Sequence, residues 1–204
     1  MRAATLLSAL ASTSLATAAA VIAPRAAAPR NLKVISFSVF GSGCPYGSAD
    51  VQADPSNTAL NIQLSEYIVQ SGPGVSAAEY RKNCKITLNL EYDSGFSLST
   101  ITTDLRGYAD IPSDTKGQCQ NTIYFSGEPQ KASYGVTLPG GYGGPFSLRS
   151  DPDIVAWSPC GGSTAILNVN TQCSISSTNS RGLIAVDRIS NKLAVRIALQ
   201  WRSC

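Results

Sequence analysis

The chain has 204 residues, a formal net charge of +3 and no histidine. Without an imidazole, Ser-His-Asp and Cys-His catalysis are excluded, as is the commonest zinc ligand. Arg2, Arg25 and Arg30 supply much of the positive charge, so the remaining body is close to neutral, has no basic run and is not suited to nucleic acid.

Arg2 precedes an alanine-rich apolar run in which Ala16-Thr17-Ala18 and Ala18-Ala19-Ala20 offer small-residue cleavage patterns, so residues 1–20 read as a secretory signal. A membrane anchor fits less well, because the run is short and no later segment approaches the ~20 apolar residues of a span. Residues 21–31, with Pro24, Pro29, Arg25 and Arg30, read as a loose leader open to trimming. Residues 32–204 are then one exported domain, long enough to bury its own core.

Leu32–Val39 is strand-like and is broken by the glycines and proline of Gly41-Ser-Gly-Cys-Pro-Tyr-Gly47. Thr58–Leu64 alternates, Glu66–Gln70 follows, and Ser76–Arg81 gives at most two helical turns. Lys85–Tyr92 has the cleanest alternation, with Ile86, Leu88, Leu90 and Tyr92 on one face. Phe96–Tyr108 follows a hairpin-type turn, Ile111–Gly117 reads as a loop, and Gln120–Phe125 and Lys131–Leu138 are the next strands. Pro139-Gly-Gly-Tyr-Gly-Gly-Pro145 reads as the most flexible stretch. Ile154–Trp157, Thr164–Ile175 and Leu183–Val186 lead to Leu193–Cys204, where Leu193, Val195, Ile197, Leu199 and Trp201 share one face. So apolar a final strand belongs in the middle of a sheet. The sum is an all-β fold, a disulfide-tied antiparallel β-sandwich of about ten short strands.

Six cysteines, at 44, 84, 119, 160, 173 and 204, form an even set in an exported chain and read as three bridges. Fifteen pairings are open. No Cys-x-x-Cys and no Asn-x-Ser/Thr sequon occurs, so a redox motif, a zinc knuckle and N-glycosylation are not expected.

Gly41-Ser-Gly-Cys-Pro45, Arg81-Lys-Asn-Cys84, Arg106-Gly-Tyr-Ala-Asp110, Tyr124-Phe-Ser-Gly127, Trp157-Ser-Pro-Cys160, Leu167-Asn-Val-Asn170 and Gln200-Trp-Arg-Ser-Cys204 occur in this order along the chain. With these segments the sequence resembles a family of small secreted proteins, the domain of unknown function 4360, from about residue 32 to 204. The resemblance implies secretion and a β-rich fold but no activity and no catalytic residues. Relatives often have cysteines matching 44, 84, 160 and 204, so Cys119 and Cys173 look like additions that form one extra bridge. The pairing expected on this basis is Cys44–Cys84, Cys119–Cys173 and Cys160–Cys204.

Thirteen carboxylates leave little for acid–base chemistry, although Glu66 with Glu128, or Asp104 with Asp110, are nameable glycosidase pairs. Asp151-Pro-Asp153 has oxygens for calcium but lacks the twelve-residue loop, and reads as a turn. Asn168, Asn170 and Gln172 line one face of a strand, as a ligand-binding amide row or as plain exposed surface. Arg81, Lys82 and Asn83 make a small basic spot. Tyr46, Tyr134, Tyr142 and Phe146 lie in or beside glycine-rich loops, where rings can stack on sugars or fold back over the core. Trp157 and Trp201 are assigned to the core. The function expected is a secreted non-catalytic protein that binds wall or surface glycans, or acts at the host or environmental interface through a glycan or protein partner. It needs no cofactor or metal and has no membrane span. The alternative is a polysaccharide hydrolase with two carboxylates.

Overall fold

The computed structural model describes residues 28–176, 179–185 and 193–204. The signal, residues 21–27 of the leader and Val186 lie outside the described residues.

Two antiparallel sheets pack face to face. The first has the order β1 (Leu32–Phe40), β5 (Arg81–Tyr92), β10 (Thr164–Ile175), β7 (Gly117–Phe125) and β8 (Lys131–Leu138). The second runs β2 (Ala49–Ala53), β3 (Ala59–Leu64), β12 (Leu193–Ser203), β6 (Phe96–Asp110), β11 (Gly182–Ala185) and β4 (Ile68–Ser71), with β9 (Gly143–Ser150) also paired to β6. Period-two alternation builds the core. On β5, Ile86, Leu88 and Leu90 are buried while Lys85, Asn89 and Glu91 are exposed. Leu193, Val195, Ile197, Leu199 and Trp201 are all buried on β12, which lies between β3 and β6. Trp201 meets Tyr92 and Phe96 edge-on at 5.3 and 6.3 Å, and its Nε1 donates to Asn57 O at 2.9 Å.

Tyr67 ties the two layers together. Its ring is fully buried, its hydroxyl donates to Lys82 O at 2.7 Å, and it accepts from Cys173 N at 2.9 Å. A side chain at Gly43 would strike that ring at 2.4 Å, which fixes glycine there. The cysteines join as Cys44–Cys84, Cys119–Cys173 and Cys160–Cys204. Cys119 and Cys173 stand directly opposite each other on β7 and β10, on the inner face.

The structure departs from the sequence expectation at three places. Two strands were missed: the short edge strand β2, and β9, which occupies part of the stretch read as most flexible. Gly141 N and Ile111 N bond Ile111 O and Tyr142 O at 2.8 and 2.7 Å, and a side chain at Gly140 would meet Ser113 O and Thr115 O at under 3 Å, so the glycines serve close backbone approach. Ile154–Trp157 is no strand. It makes one isolated bridge to Ser99, its Ile154 and Val155 are exposed, and Trp157 is half-buried under the Arg202 guanidinium, 4.4 Å from the ring centroid. Among the described residues the one helical element is a three-residue 3-10 turn, Ala77–Glu79, capped by Ser76.

Candidate functional site

Of the four loop aromatics named from the sequence, two are core. Tyr134 is buried on β8, its hydroxyl is hydrogen-bonded to the Thr100 hydroxyl of the facing sheet, and burial pushes its pKa up to about 12. Phe146 is buried because Gly107, opposite it on β6, leaves a slot: a side chain there would come within 3.0 Å of the Phe146 ring. The surrounding glycines therefore do not uncover Phe146. Tyr142 is half-buried against the core, with its hydroxyl donating to Pro145 O at 2.5 Å. Tyr46 is fully exposed in the loop before β2. No shared platform comes from this set.

The carboxylate pairs also separate. Asp104 and Asp110 lie six residues apart on β6, roughly 20 Å at ~3.3 Å per residue. Glu66 adjoins Tyr67, which bonds Cys173 at one end of β10, whereas Glu128 follows Phe125, which pairs Leu167 six residues away on that strand. Both separations exceed the ~5–9.5 Å of a glycosidase dyad. Asp153 is held in a turn, one carboxylate oxygen accepting from Ser133 N at 2.7 Å and Ile154 N at 2.9 Å. Among the described residues no group of three His, Cys, Asp or Glu could hold a metal, and no described helix is long and apolar enough to cross a membrane.

What the fold does bring together is the outer face of the five-stranded sheet. One cross-strand row runs Lys131, Tyr124, Asn168, Thr87, Ser38; the next Ser133, Thr122, Asn170, Lys85, Phe40; the third Gly135, Gln120, Gln172, Asn83. Amide and hydroxyl groups thus fill neighbouring positions on five strands around one half-buried tyrosine ring, Tyr124, with the Lys85 and Lys131 ammonium groups 6.0 and 5.3 Å from its centroid. Asn168 is a buried support, accepting from Thr87 Oγ1 and donating to Ser126 Oγ, both at 3.0 Å. Gln172 accepts from the Arg81 guanidinium. Asn170 differs: its Oδ1 is buried without a hydrogen-bond partner, one of two such side-chain atoms among the described residues, the other being Ser71 Oγ. An unpaired buried acceptor costs ~1–3 kcal/mol; this one is covered, so a ligand's donor meets it once the side-chain amide rotates outward.

Two recesses extend the face. One, of about 220 Å³, lies by Gln118, Gln120, Gln172 and Ser174, where Gly135 leaves open space in place of a side chain. The other, of about 480 Å³, lies at the far end by Ile35, Asn89, Ser126 and Ile166. Gln118 to Ser126 spans eight residues, roughly 26 Å at ~3.3 Å each. The amide row was visible in the sequence as Asn168, Asn170 and Gln172. Gln120, Thr122, Tyr124, Lys85 and Lys131 were missed, because only the register of three other strands brings them alongside.

The molecule is thus a disulfide-tied β-sandwich. It belongs to the family described as Domain of unknown function (DUF4360), whose model matches residues 30–204. A relative described as an uncharacterized secreted protein of Arthroderma benhamiae is 30% identical over 180 residues, 86% of this chain and 73% of the relative, and this protein too is secreted. Among solved structures, a carbohydrate-binding module described by its mannan recognition overlays with TM-score 0.32 at 10% identity, covering 85% of this chain and 99% of the module. A family 11 carbohydrate-binding module from Clostridium thermocellum, in complex with a β-1,3-1,4-mixed-linked tetrasaccharide, overlays with TM-score 0.25 at 10% identity, covering 84% and 91%. At such TM-scores nothing of their ligands carries over to this chain.

Proposed function

We propose that the protein is a secreted, non-catalytic glycan-binding domain whose ligand lies along the outer face of the five-stranded sheet. The observation that carries this reading is the unpaired, buried Oδ1 of Asn170 in the middle of a face of amides and hydroxyls beside the Tyr124 ring. A sugar chain offers what such a face lacks: hydroxyl donors for amide oxygens, hydroxyl acceptors for amide N–H groups, and C–H surfaces for a ring. The length of the face suits an extended chain. Its shallow recesses suit modest affinity built from several weak contacts.

The test is isothermal titration of the secreted protein against soluble wall polysaccharides, with sugar release followed in parallel. Binding should be measurable, no product should form, and Tyr124→Ala should weaken binding with an unchanged melting temperature. Asn170→Ala gives the sharper readout. It removes an acceptor the free protein leaves unsatisfied, so it should weaken binding while leaving stability equal or higher. Loss of stability with unchanged binding would make Asn170 structural and defeat the proposal, and released sugar would replace it with an enzyme.

A further inference from the structure

Charge narrows the class of ligand. Resting on the glycan reading above, we infer that this face takes an acidic glycan, one bearing carboxylate or sulfate groups, with Lys85 and Lys131 meeting the anionic oxygens.

The cations on the face have no carboxylate between them. Lys85 is in register with Asn170, and Lys131 with Tyr124, so the side chains separating the two ammonium groups are Tyr124, Asn168, Asn170 and Thr122, all neutral. The Arg81 guanidinium lies farther along the same face and bonds an amide oxygen, not an acid. The carboxylates at the margin form no ion pair with Lys85 or Lys131 among the described residues. Glu91 stands three cross-strand rows beyond Lys85, opposite Lys33; Glu128 follows β7 in its turn; Asp153 has one oxygen committed to Ser133 N and Ile154 N.

Ordinary sheet surfaces alternate charge across strands, since like charges side by side destabilise and opposite ones help. Two lysines held near one ring, with no acid between them, leave positive potential at the place where the amides converge. A ligand carrying anionic groups along its length satisfies the ammonium groups and the amides together. A neutral glycan satisfies only the amides. Because the lysines are exposed, the preference should be salt-sensitive, fading as the Debye length falls from ~10 Å at 0.1 M towards ~3 Å at 1 M.

The experiment uses the secreted protein with three soluble probes: polygalacturonate for carboxylate, dextran sulfate for sulfate, and dextran as the neutral arm, each at low and high salt. Lys85→Ala/Lys131→Ala is compared with Arg106→Ala, a cation on the opposite sheet. The expected result is binding of at least one anionic probe about tenfold or more above dextran, cut about tenfold by the lysine pair and unaffected by Arg106→Ala. The carboxylate and sulfate arms separate the two sources of charge. Equal loss in the Arg106 variant would reduce the effect to non-specific attraction and overturn the proposal. Dextran bound as tightly as the anionic probes, with Tyr124 dependence, would overturn the acidic preference and leave the glycan reading standing. If no polysaccharide binds, including the soluble wall polysaccharides of the titration, both are overturned.

Discussion

The two sheets turn polar faces to solvent, and the faces differ in how their charges are arranged. On the seven-stranded sheet Arg196 faces Asp104 on β6, and Asp104 faces Arg149 on β9, while the Arg196 guanidinium also reaches Asp54 at 3.7 Å. Cations and acids interleave along that row. On the five-stranded sheet the lysines border amides and a ring, and one amide oxygen has no partner. Both faces come from strands with similar alternation. What distinguishes a solvated surface from a candidate site is the identity of the neighbour one strand away.

That contrast can be broken at several points. The largest effect should come from the inner faces that both sheets share: Trp201→Ala removes a ring packed on Tyr92 and Phe96 and should cost about 3–5 kcal/mol. Denaturant titration checks it, and a midpoint near the parent's would mean the ring is not core. Replacing Cys119 and Cys173 together with serine opens a 54-residue loop and should cost about 4 kcal/mol by chain entropy. Tyr67→Phe strands Cys173 N and Lys82 O between the layers and should cost about 1–3 kcal/mol. The smallest effect should be that of Arg196→Ala, whose exposed ion pair is worth at most about 1 kcal/mol. If that change weakened glycan binding as strongly as Tyr124→Ala, the difference between the two faces would vanish.

One pH effect falls on the seven-stranded side. Burial pushes the Asp54 carboxyl up, but bonds from Thr58 N, Ser56 Oγ and Ala59 N, together with Arg196, outweigh it and hold the group below its ordinary value. A lowered folded-state pKa stabilises above the unfolded pKa and loses that contribution as pH falls through the folded one. Asp54→Asn should therefore flatten the acid limb of the stability profile below about pH 4, as read by thermal melts across pH.

Strands with one buried face were legible in the sequence because period two survives in them. β5, β10 and β12 keep it over eleven or twelve residues each. β9 was hidden by Gly143, Gly144 and Pro145, although Phe146 and Leu148 already alternate with Ser147 and Arg149. Proline is tolerated there because, among the described residues, β6 is the one sheet neighbour of β9. Trp157 sits in a loop that bridges one residue of β6, so an apolar run predicted a burial that the Arg202 guanidinium partly supplies instead. The candidate face was the least legible part. Its rows join residues from β1, β5, β10, β7 and β8 that are distant in sequence, and no spacing along one strand reveals what register places beside it.

The bridge between Cys119 and Cys173 makes the molecule its own clock. Both sulfurs are buried on adjacent strands, and thiol exchange needs direct access to a sulfur atom. The bond keeps β7 joined to β10 at that point, and with both cysteines buried a reductant reaches it when the structure around it opens. The rate at which mild thiols cleave this bridge therefore counts how often the sandwich opens. A ligand seated on the outer face of β7 and β10 should slow that rate without touching either cysteine.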